Sequence, residues 1–235
     1  MGPRATLLRT AMIVALWGYA VGAPLAGLCA QPTPDVRIST QEEESRFLPG
    51  IYFFHKGCEY YKRGQPAAAM QAWQIAASWA MKGAQYDLGI TYFRGLDVAV
   101  DRPRGIAWLA LAAERKDEGF EASLAAAWDQ ATPEERDQAN AIWRDLKKYY
   151  GDASALPRAE RRYKLEVDNI TGSRVGMPGH VTVWTPTAGL IDVELLKSDM
   201  RRHADINFGK LPSGTVNVGP LEPVVEDGKD STDSN

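Results

Sequence analysis

The chain is similar to itself at two displacements, and this repetition constrains its fold more than any other feature of the sequence. A set of small and aromatic residues recurs 36 positions later: Ala76, Ala77, Gly83, Leu88 and Tyr92 return as Ala112, Ala113, Gly119, Leu124 and Trp128. A second match, displaced by 31 positions, relates residues 61–64 to residues 92–95. Self-similarity at a fixed period of this length is typical of stacked structural repeats.

The apolar spacing predicts three helix pairs: residues 49–64 with 66–81, 83–94 with 102–116, and 119–130 with 133–150. Gly64 and Pro66 end one helix and start the next. Asp101 is placed to cap the fourth helix. Thr132 and Glu135 have the spacing of a capping box. The predicted fold is therefore mainly α, a short helical solenoid over residues 49–150.

Residues 84–98, read as AQYDLGITYFRGLDV, resemble a Sel1-like repeat of the tetratricopeptide type. Asp97 stands where that repeat usually has a second loop glycine, and Asp tolerates unusual backbone geometry. The resemblance covers about residues 51–150 and implies a curved stack that holds protein partners on its concave face, without catalytic residues. The positions that it implies as repeat-motif residues are Ala84, Tyr86, Leu88, Gly89, Tyr92, Gly95, Val98, Asp101, Ala107, Trp108, Ala112 and Ala113.

The first thirty residues have the pattern of an export signal. Arg4 and Arg9 precede an uncharged stretch over residues 10–30, and small residues follow its apolar centre. We expect cleavage after Ala30 or nearby, and a periplasmic or secreted protein. The alternative is an inner-membrane anchor, because residues 10–30 are just long enough to span a bilayer. Leu28 occupies the place where a lipoprotein signal has a small residue, which argues against lipidation of Cys29.

Cleavage after Ala30 would remove Cys29 and leave Cys58 as the only cysteine. We therefore expect no internal disulfide. Cys58 falls at helical spacing with Phe54 and Tyr61, which predicts a small buried hydrophobe. The cysteine-rich secreted Sel1 proteins, some linked to β-lactam binding, carry paired cysteines that this sequence lacks, so that activity is not transferred.

Beyond a linker at residues 31–48 and the repeat domain, residues 151–225 are predicted to form a small mixed α/β segment. We expect strands at residues 163–167, 180–184 and 215–218 and a helix at 190–208. Residues 226–235 form an acidic tail predicted to be disordered. The segment is expected to cap the solenoid. Arg201 and Arg202 are possible partner contacts, with an ordinary solvated surface as the alternative.

The inventory of reactive residues favours binding over catalysis. His55, His180 and His203 have no ligand at metal-site spacing, so neither metal nor cofactor is predicted. A net charge of −3 excludes a global basic field for nucleic acid. The sequence predicts a non-catalytic exported scaffold that binds an unidentified protein. One alternative is an envelope-structural protein that binds cell-wall or outer-membrane components. A weaker alternative is a small hydrolase that uses Ser173 and His180.

Overall fold

A computed structural model describes residues 28–29, 45–170, 182–185 and 189–209, and within them the chain is mainly helical, as predicted. The chain divides into two compact units. The first contains Pro49–Ala159 together with residues 28–29. The second contains residues 45–48 and the described part of Glu160–Asn235.

Between residues 49 and 170, seven helices follow one another: α1 Pro49–Lys62, α2 Pro66–Ser78, α3 Lys82–Arg94, α4 Arg102–Ala112, α5 Glu118–Asp129, α6 Pro133–Tyr150 and α7 Asp152–Ile170. A single 3₁₀ turn, Ala113–Arg115, extends α4. The first six are the helices that the apolar spacing predicts, with ends that differ by a few residues. No helix in the described part of the chain is long and apolar enough to cross a membrane.

The predicted helix ends are confirmed by their capping contacts. The Asp101 carboxylate accepts a hydrogen bond of 3.1 Å from the Arg104 backbone N–H. Thr132 and Glu135 form the capping box, with reciprocal hydrogen bonds of 2.9 and 3.2 Å. Asp97 has a φ of +57°, in the left-handed region that a glycine would otherwise supply. These loops therefore end one helix and start the next as the residue types require.

The packing of the helices follows the predicted pairs only in the first two. Helix α1 packs against α2, α3 packs against α4, and α2 contacts α3. Helix α6 instead has its most extensive packing against α4 rather than against α5. The close approach of α3 and α4 depends on Gly105, where a Cβ would lie 2.6 Å from the Phe93 backbone nitrogen. The third pair therefore departs from the repeat.

Two apolar clusters fill the first unit. The larger contains Trp73, Leu88, Trp108 and Leu111. The smaller lies between α3, α4, α5 and α6 and contains Tyr86, Ile90, Ile106, Leu109 and Ala139. Trp73, Leu88 and Leu111 have no exposed surface. Alanines along α2 and α4 leave the space that these large side chains occupy.

The predicted strand at residues 163–167 is wrong, because this region belongs to helix α7, which also contains Pro157. Alternation of Tyr163, Leu165 and Val167 suggested a strand. The buried residues of the helix are instead Ala155, Ala159, Tyr163 and Glu166, which are spaced by four, four and three positions. That spacing is helical, and it includes an acidic residue that a search for apolar periodicity leaves out.

The second unit contains a two-stranded hairpin and a helix. Strands β1 Thr182–Thr185 and β2 Gly189–Asp192 pair antiparallel, with Trp184 opposite Leu190. Helix α8, Val193–Phe208, is capped by the Asp192 carboxylate, which accepts a hydrogen bond of 2.7 Å from the Glu194 N–H. The predicted helix at 190–208 therefore starts three residues late, since residues 189–192 pair as a strand. The predicted strand at 215–218 and the tail lie outside the described residues.

Candidate functional site

A groove of about 670 Å³ opens on the first unit between helices α4, α5 and α6. It exists because α6 packs against α4, which leaves space on the side of α5. The apolar residues that line it are Ile106, Ala107, Ala110, Ala113, Leu124, Ala125, Trp128, Ala139 and Trp143. The polar residues that line it are Glu114, Lys116, Glu121, Asp129 and Asn140.

The two tryptophans of the groove lie beside cations of α6. The Arg136 guanidinium lies 5.4 Å from the centre of the Trp128 ring, and Lys147 Nζ lies 4.5 Å from the centre of the Trp143 ring. Arg136 also donates hydrogen bonds of 2.9 and 3.1 Å to the Trp128 carbonyl. Cation–π contacts of this kind contribute about 0.5–1 kcal/mol at exposed sites and favour this arrangement of ring and cation. Each tryptophan of the groove is therefore in contact with a cationic side chain of α6.

The polar groups at the groove differ in how far they are already paired. Lys82 Nζ lies 2.9 Å from a Glu114 carboxylate oxygen. Exposed Lys116 and Glu121 lie 3.4 Å apart. Asp129 and Asn140 are exposed. The lining holds no histidine, cysteine, serine or threonine, and its ionisable side chains are three carboxylates and one lysine.

A buried ionic network ties α3 to the start of α7. Lys82 Nζ lies 2.9 Å from Glu114 and 3.0 Å from Asp152, and it donates a hydrogen bond of 2.8 Å to the Leu111 carbonyl. Arg115 binds Asp152 through two contacts of 2.8 and 2.9 Å. Burial alone would raise the pKa of Asp152, but Arg115 and Lys82 outweigh it and lower this pKa below its usual value.

Cys29 and Cys58 form a disulfide, which corrects the prediction that Cys58 has no partner. Their Cα atoms lie 5.7 Å apart. The prediction was wrong because it assumed that Cys29 is lost when the export signal is cleaved. Cleavage after Ala30 and this disulfide exclude each other in one mature chain. Cys58 is buried, as predicted, but as half of a covalent link rather than as a free thiol.

Asp87 lies beside the disulfide, and its carboxylate is almost fully buried, with 2% of the residue exposed. Both of its oxygens face the Cys29 backbone N–H, at 3.2 and 3.3 Å. Burial raises the pKa of Asp87 to about 8, although the Cys29 N–H acts in the opposite direction. No cationic side chain within the described ranges forms an ion pair with Asp87, in contrast to Asp152.

The ligand atoms of Cys29, Cys58 and Asp87 all lie within 4.8 Å of one another. The sequence prediction named no metal site because it searched for clusters around the histidines. These three residues come from the N-terminal segment, α1 and α3, so no spacing in the sequence brings them together. One feature of the sequence does point to this site. Asp87 is an acidic residue between Tyr86 and Leu88, two repeat-motif residues that are both buried.

The predicted repeat-motif residues lie in α3, in α4 with its 3₁₀ extension, and in the loop between the two helices. Most of them are buried: Ala84, Tyr86, Leu88, Gly89, Ala107, Trp108, Ala112 and Ala113. Tyr92, Gly95, Val98 and Asp101 are half-buried. Only Ala107 and Ala113 line the groove. The motif therefore determines how the helices pack, and most of the groove comes from residues outside it.

Arg201 and Arg202 are exposed on α8 of the second unit, and each is paired on its own helix. Arg201 lies 3.0 Å from Asp205, and Arg202 lies 2.7 Å from Asp199. These pairs compensate much of the positive charge that suggested a contact surface. Ser173 and His180, the basis of the hydrolase alternative, lie outside the described residues.

No protein family, curated protein or solved structure matches this chain. The resemblance to Sel1-like repeats therefore stays a prediction from the residues that carry it. The groove and the Cys29–Cys58–Asp87 cluster are features of the described residues themselves.

Proposed function

We propose that this chain is a non-catalytic, exported scaffold that binds a segment of a partner protein in the groove between α4, α5 and α6. The observation that carries the proposal is the groove itself, which combines an apolar floor with two oriented tryptophans. Tryptophan is among the residues that contribute most to the energy of protein interfaces. The lining is mostly apolar and holds no histidine, cysteine, serine or threonine, which supports binding.

The charges at the groove favour a particular kind of segment. Three carboxylates, Glu114, Glu121 and Asp129, face one lysine, Lys116, among the lining residues. Glu114 pairs with Lys82 and exposed Glu121 pairs with Lys116, which leaves Asp129 as the exposed acidic lining residue with no ion pair among the described residues. We therefore expect an apolar segment flanked by lysine or arginine, since charge complementarity orients partners at an interface rim. The acidic residues 226–235 of the chain itself do not have this composition.

The disulfide supports export, because such bonds persist in oxidising compartments and are rare in the cytosol. It joins Cys29, near the end of the export-signal pattern, to Cys58 of α1, so its presence favours a periplasmic or secreted protein that retains Cys29.

The test uses two alanines that are both exposed on α5. Ala125 lines the groove, whereas Ala122 does not. Wild type, Ala125→Arg and Ala122→Arg would be purified and used to capture partners from an envelope fraction. We expect a defined partner with wild type and Ala122→Arg and at least a tenfold loss with Ala125→Arg. Equal capture by both variants would place the interface elsewhere, and no specific capture by wild type would reject the scaffold proposal.

One observation favours the alternative, an envelope-structural role. The cross-strand neighbours Trp184 and Leu190 are 66% and 71% exposed, an unusual position for a large apolar pair. Cosedimentation of the protein with cell-wall sacculi tests this role. Binding that Trp184→Ala abolishes and Ala125→Arg leaves intact would favour it over the groove.

A further inference from the structure

The disulfide beside Asp87 does not explain why the carboxylate of this residue is buried. A disulfide is neutral, and a neutral neighbour does not offset the cost of burying an acidic group. Yet Asp87 faces Cys29 and Cys58, and within the described part of the chain the hydrogen-bond donor to its carboxylate is the backbone N–H of Cys29. A cation between these three residues would give the carboxylate a counter-charge.

We propose that Cys29, Cys58 and Asp87 hold a thiophilic divalent cation, of which Zn²⁺ is the type, when the disulfide is reduced. Two thiolates and one carboxylate are ligands that zinc accepts. Three protein ligands leave a fourth position for water. This proposal is independent of the groove and of the scaffold function.

The geometry permits this exchange with local movement. In a tetrahedral site with Zn–S bonds of about 2.3 Å, the two sulfurs lie about 3.8 Å apart. The three ligand atoms already lie within 4.8 Å of one another, so rotation of the two cysteine side chains is the main change required. Cys29 is half-buried, while Cys58 and Asp87 are buried. Access for the ion and the fourth ligand is therefore from the side of Cys29.

The surroundings support the ligands. Cys58 belongs to the larger apolar cluster, and Leu28 and Cys29 pack against it. An apolar shell limits water access and strengthens the attraction between the cation and its ligands. One Asp87 oxygen can bind the ion while the other keeps the hydrogen bond from the Cys29 N–H, which is the outer-shell support that metal-binding carboxylates commonly have.

The chemical steps balance with a dithiol as the reductant. The dithiol gives two electrons and two protons to the Cys29–Cys58 bond and becomes a disulfide itself. The resulting pair of thiols then releases two protons to solvent as the cation binds. A neutral Asp87 carboxyl group would release a third. The oxidised and metal-bound forms therefore exclude each other.

The experiment uses the full chain that contains Cys29, reduced under anaerobic conditions, with Co²⁺ as the probe. We expect one Co²⁺ per chain with a thiolate-to-cobalt charge-transfer absorption, displaced by Zn²⁺. The same chain with its disulfide intact serves as a control that needs no mutation, and it should show no such absorption. Equal binding by the oxidised chain would overturn the proposal, and so would no binding by the reduced chain.

Two substitutions separate a three-residue site from adventitious thiol binding. Cys58→Ser should abolish the absorption. Asp87→Asn should weaken Co²⁺ binding by about tenfold or more, since loss of even an outer-shell partner has an effect of this size. Asp145→Asn, at an exposed acid, should bind as wild type does. Helical circular dichroism checks that each variant is folded. Unchanged binding by folded Asp87→Asn would remove Asp87 from the site and overturn the proposal.

Discussion

Helix α3 buries two charged residues, Lys82 and Asp87, five positions apart. Lys82 has partners of opposite charge, whereas Asp87 has none among the described residues. Lys82 is 6% exposed and is held by two carboxylates, a carbonyl and an amide. Asp87 is 2% exposed and faces one backbone N–H beside a disulfide. The comparison shows that burial alone does not determine the state of a charged group. Its partners do, and the two residues therefore respond differently to pH and to substitution.

The largest expected effect is a pH dependence that comes from Asp87 in the oxidised protein. The pKa of its carboxyl group is about 8 in the folded chain, against an ordinary value near 3.9 when unfolded. Between these values the folded state keeps a proton that the unfolded state has released. The free energy of unfolding therefore falls as pH rises through this window, by up to about 1.4 kcal/mol per pH unit.

Asp87→Asn removes this titration, because asparagine resembles the neutral acid and stays uncharged. Urea unfolding of both proteins from pH 5 to pH 9 measures the difference. We expect the two stabilities to be closest at the acidic end and Asp87→Asn to gain relative to wild type as pH rises. Parallel curves would show that Asp87 is ionised throughout and that a counter-charge compensates it. Asp145→Asn, at an exposed acid, controls for a general change in net charge.

Substitution of Lys82 tests the buried charge that has partners of opposite charge. Lys82→Met keeps the aliphatic volume but leaves Glu114 and Asp152 without their shared cation. Removal of one partner from a buried ionic network costs about 3–5 kcal/mol. We expect this loss in the free energy of urea unfolding at pH 7. Lys148→Met is the control, because Lys148 and Asp145 form an exposed pair and should contribute little.

Removal of the disulfide tests how firmly Asp87 is enclosed. The bond closes a loop with a sequence separation of 29 residues, and disulfides of this kind contribute about 2–4 kcal/mol. Reduction without added metal should lower the free energy of unfolding by that amount and reduce the pH dependence of wild type as water reaches Asp87. A Cys29→Ala, Cys58→Ala double variant should not respond to reductant. If wild type also failed to respond, the disulfide would not be present in the mature chain.

The helices were predictable from sequence because their signals are local. Capping residues such as Asp101 and Thr132 act over about three positions, and the capping contacts predicted for both are confirmed. The packing of α6 on α4 was not predictable, since the repeat implied a third pair like the first two. Helix α7 was missed because its buried face includes Glu166, which makes an ion pair with Arg162 at 3.3 Å. A search for regularly spaced apolar residues does not detect a buried position that is occupied by an acidic residue.

Neither candidate site was predictable in the same way. The groove depends on which helix α6 contacts, a tertiary choice that no short motif records. The Cys29–Asp87 contact joins residues 58 positions apart. The expected cleavage after Ala30 also excluded Cys29 from the mature chain, so no site that contains Cys29 could be predicted. The repeat motif was informative about packing and carried little information about either site.

The smallest expected effect concerns Gln85, a neutral residue that lies between Lys82 and Asp87 on α3 and has no exposed surface. Its amide oxygen accepts a hydrogen bond of 3.1 Å from Lys82, and its amide nitrogen donates one of 2.8 Å to the Tyr150 carbonyl. Gln85→Leu leaves both partners one hydrogen bond short, which should cost about 1–3 kcal/mol in urea unfolding. Gln71→Leu, on the exposed side of α2, should have little effect. Because Gln85 carries no charge, its loss should be the same from pH 5 to pH 9. A loss that changed with pH would mean that Gln85 acts through the charges on either side of it, and Lys82 and Asp87 would then belong to one coupled network rather than to two separate ones.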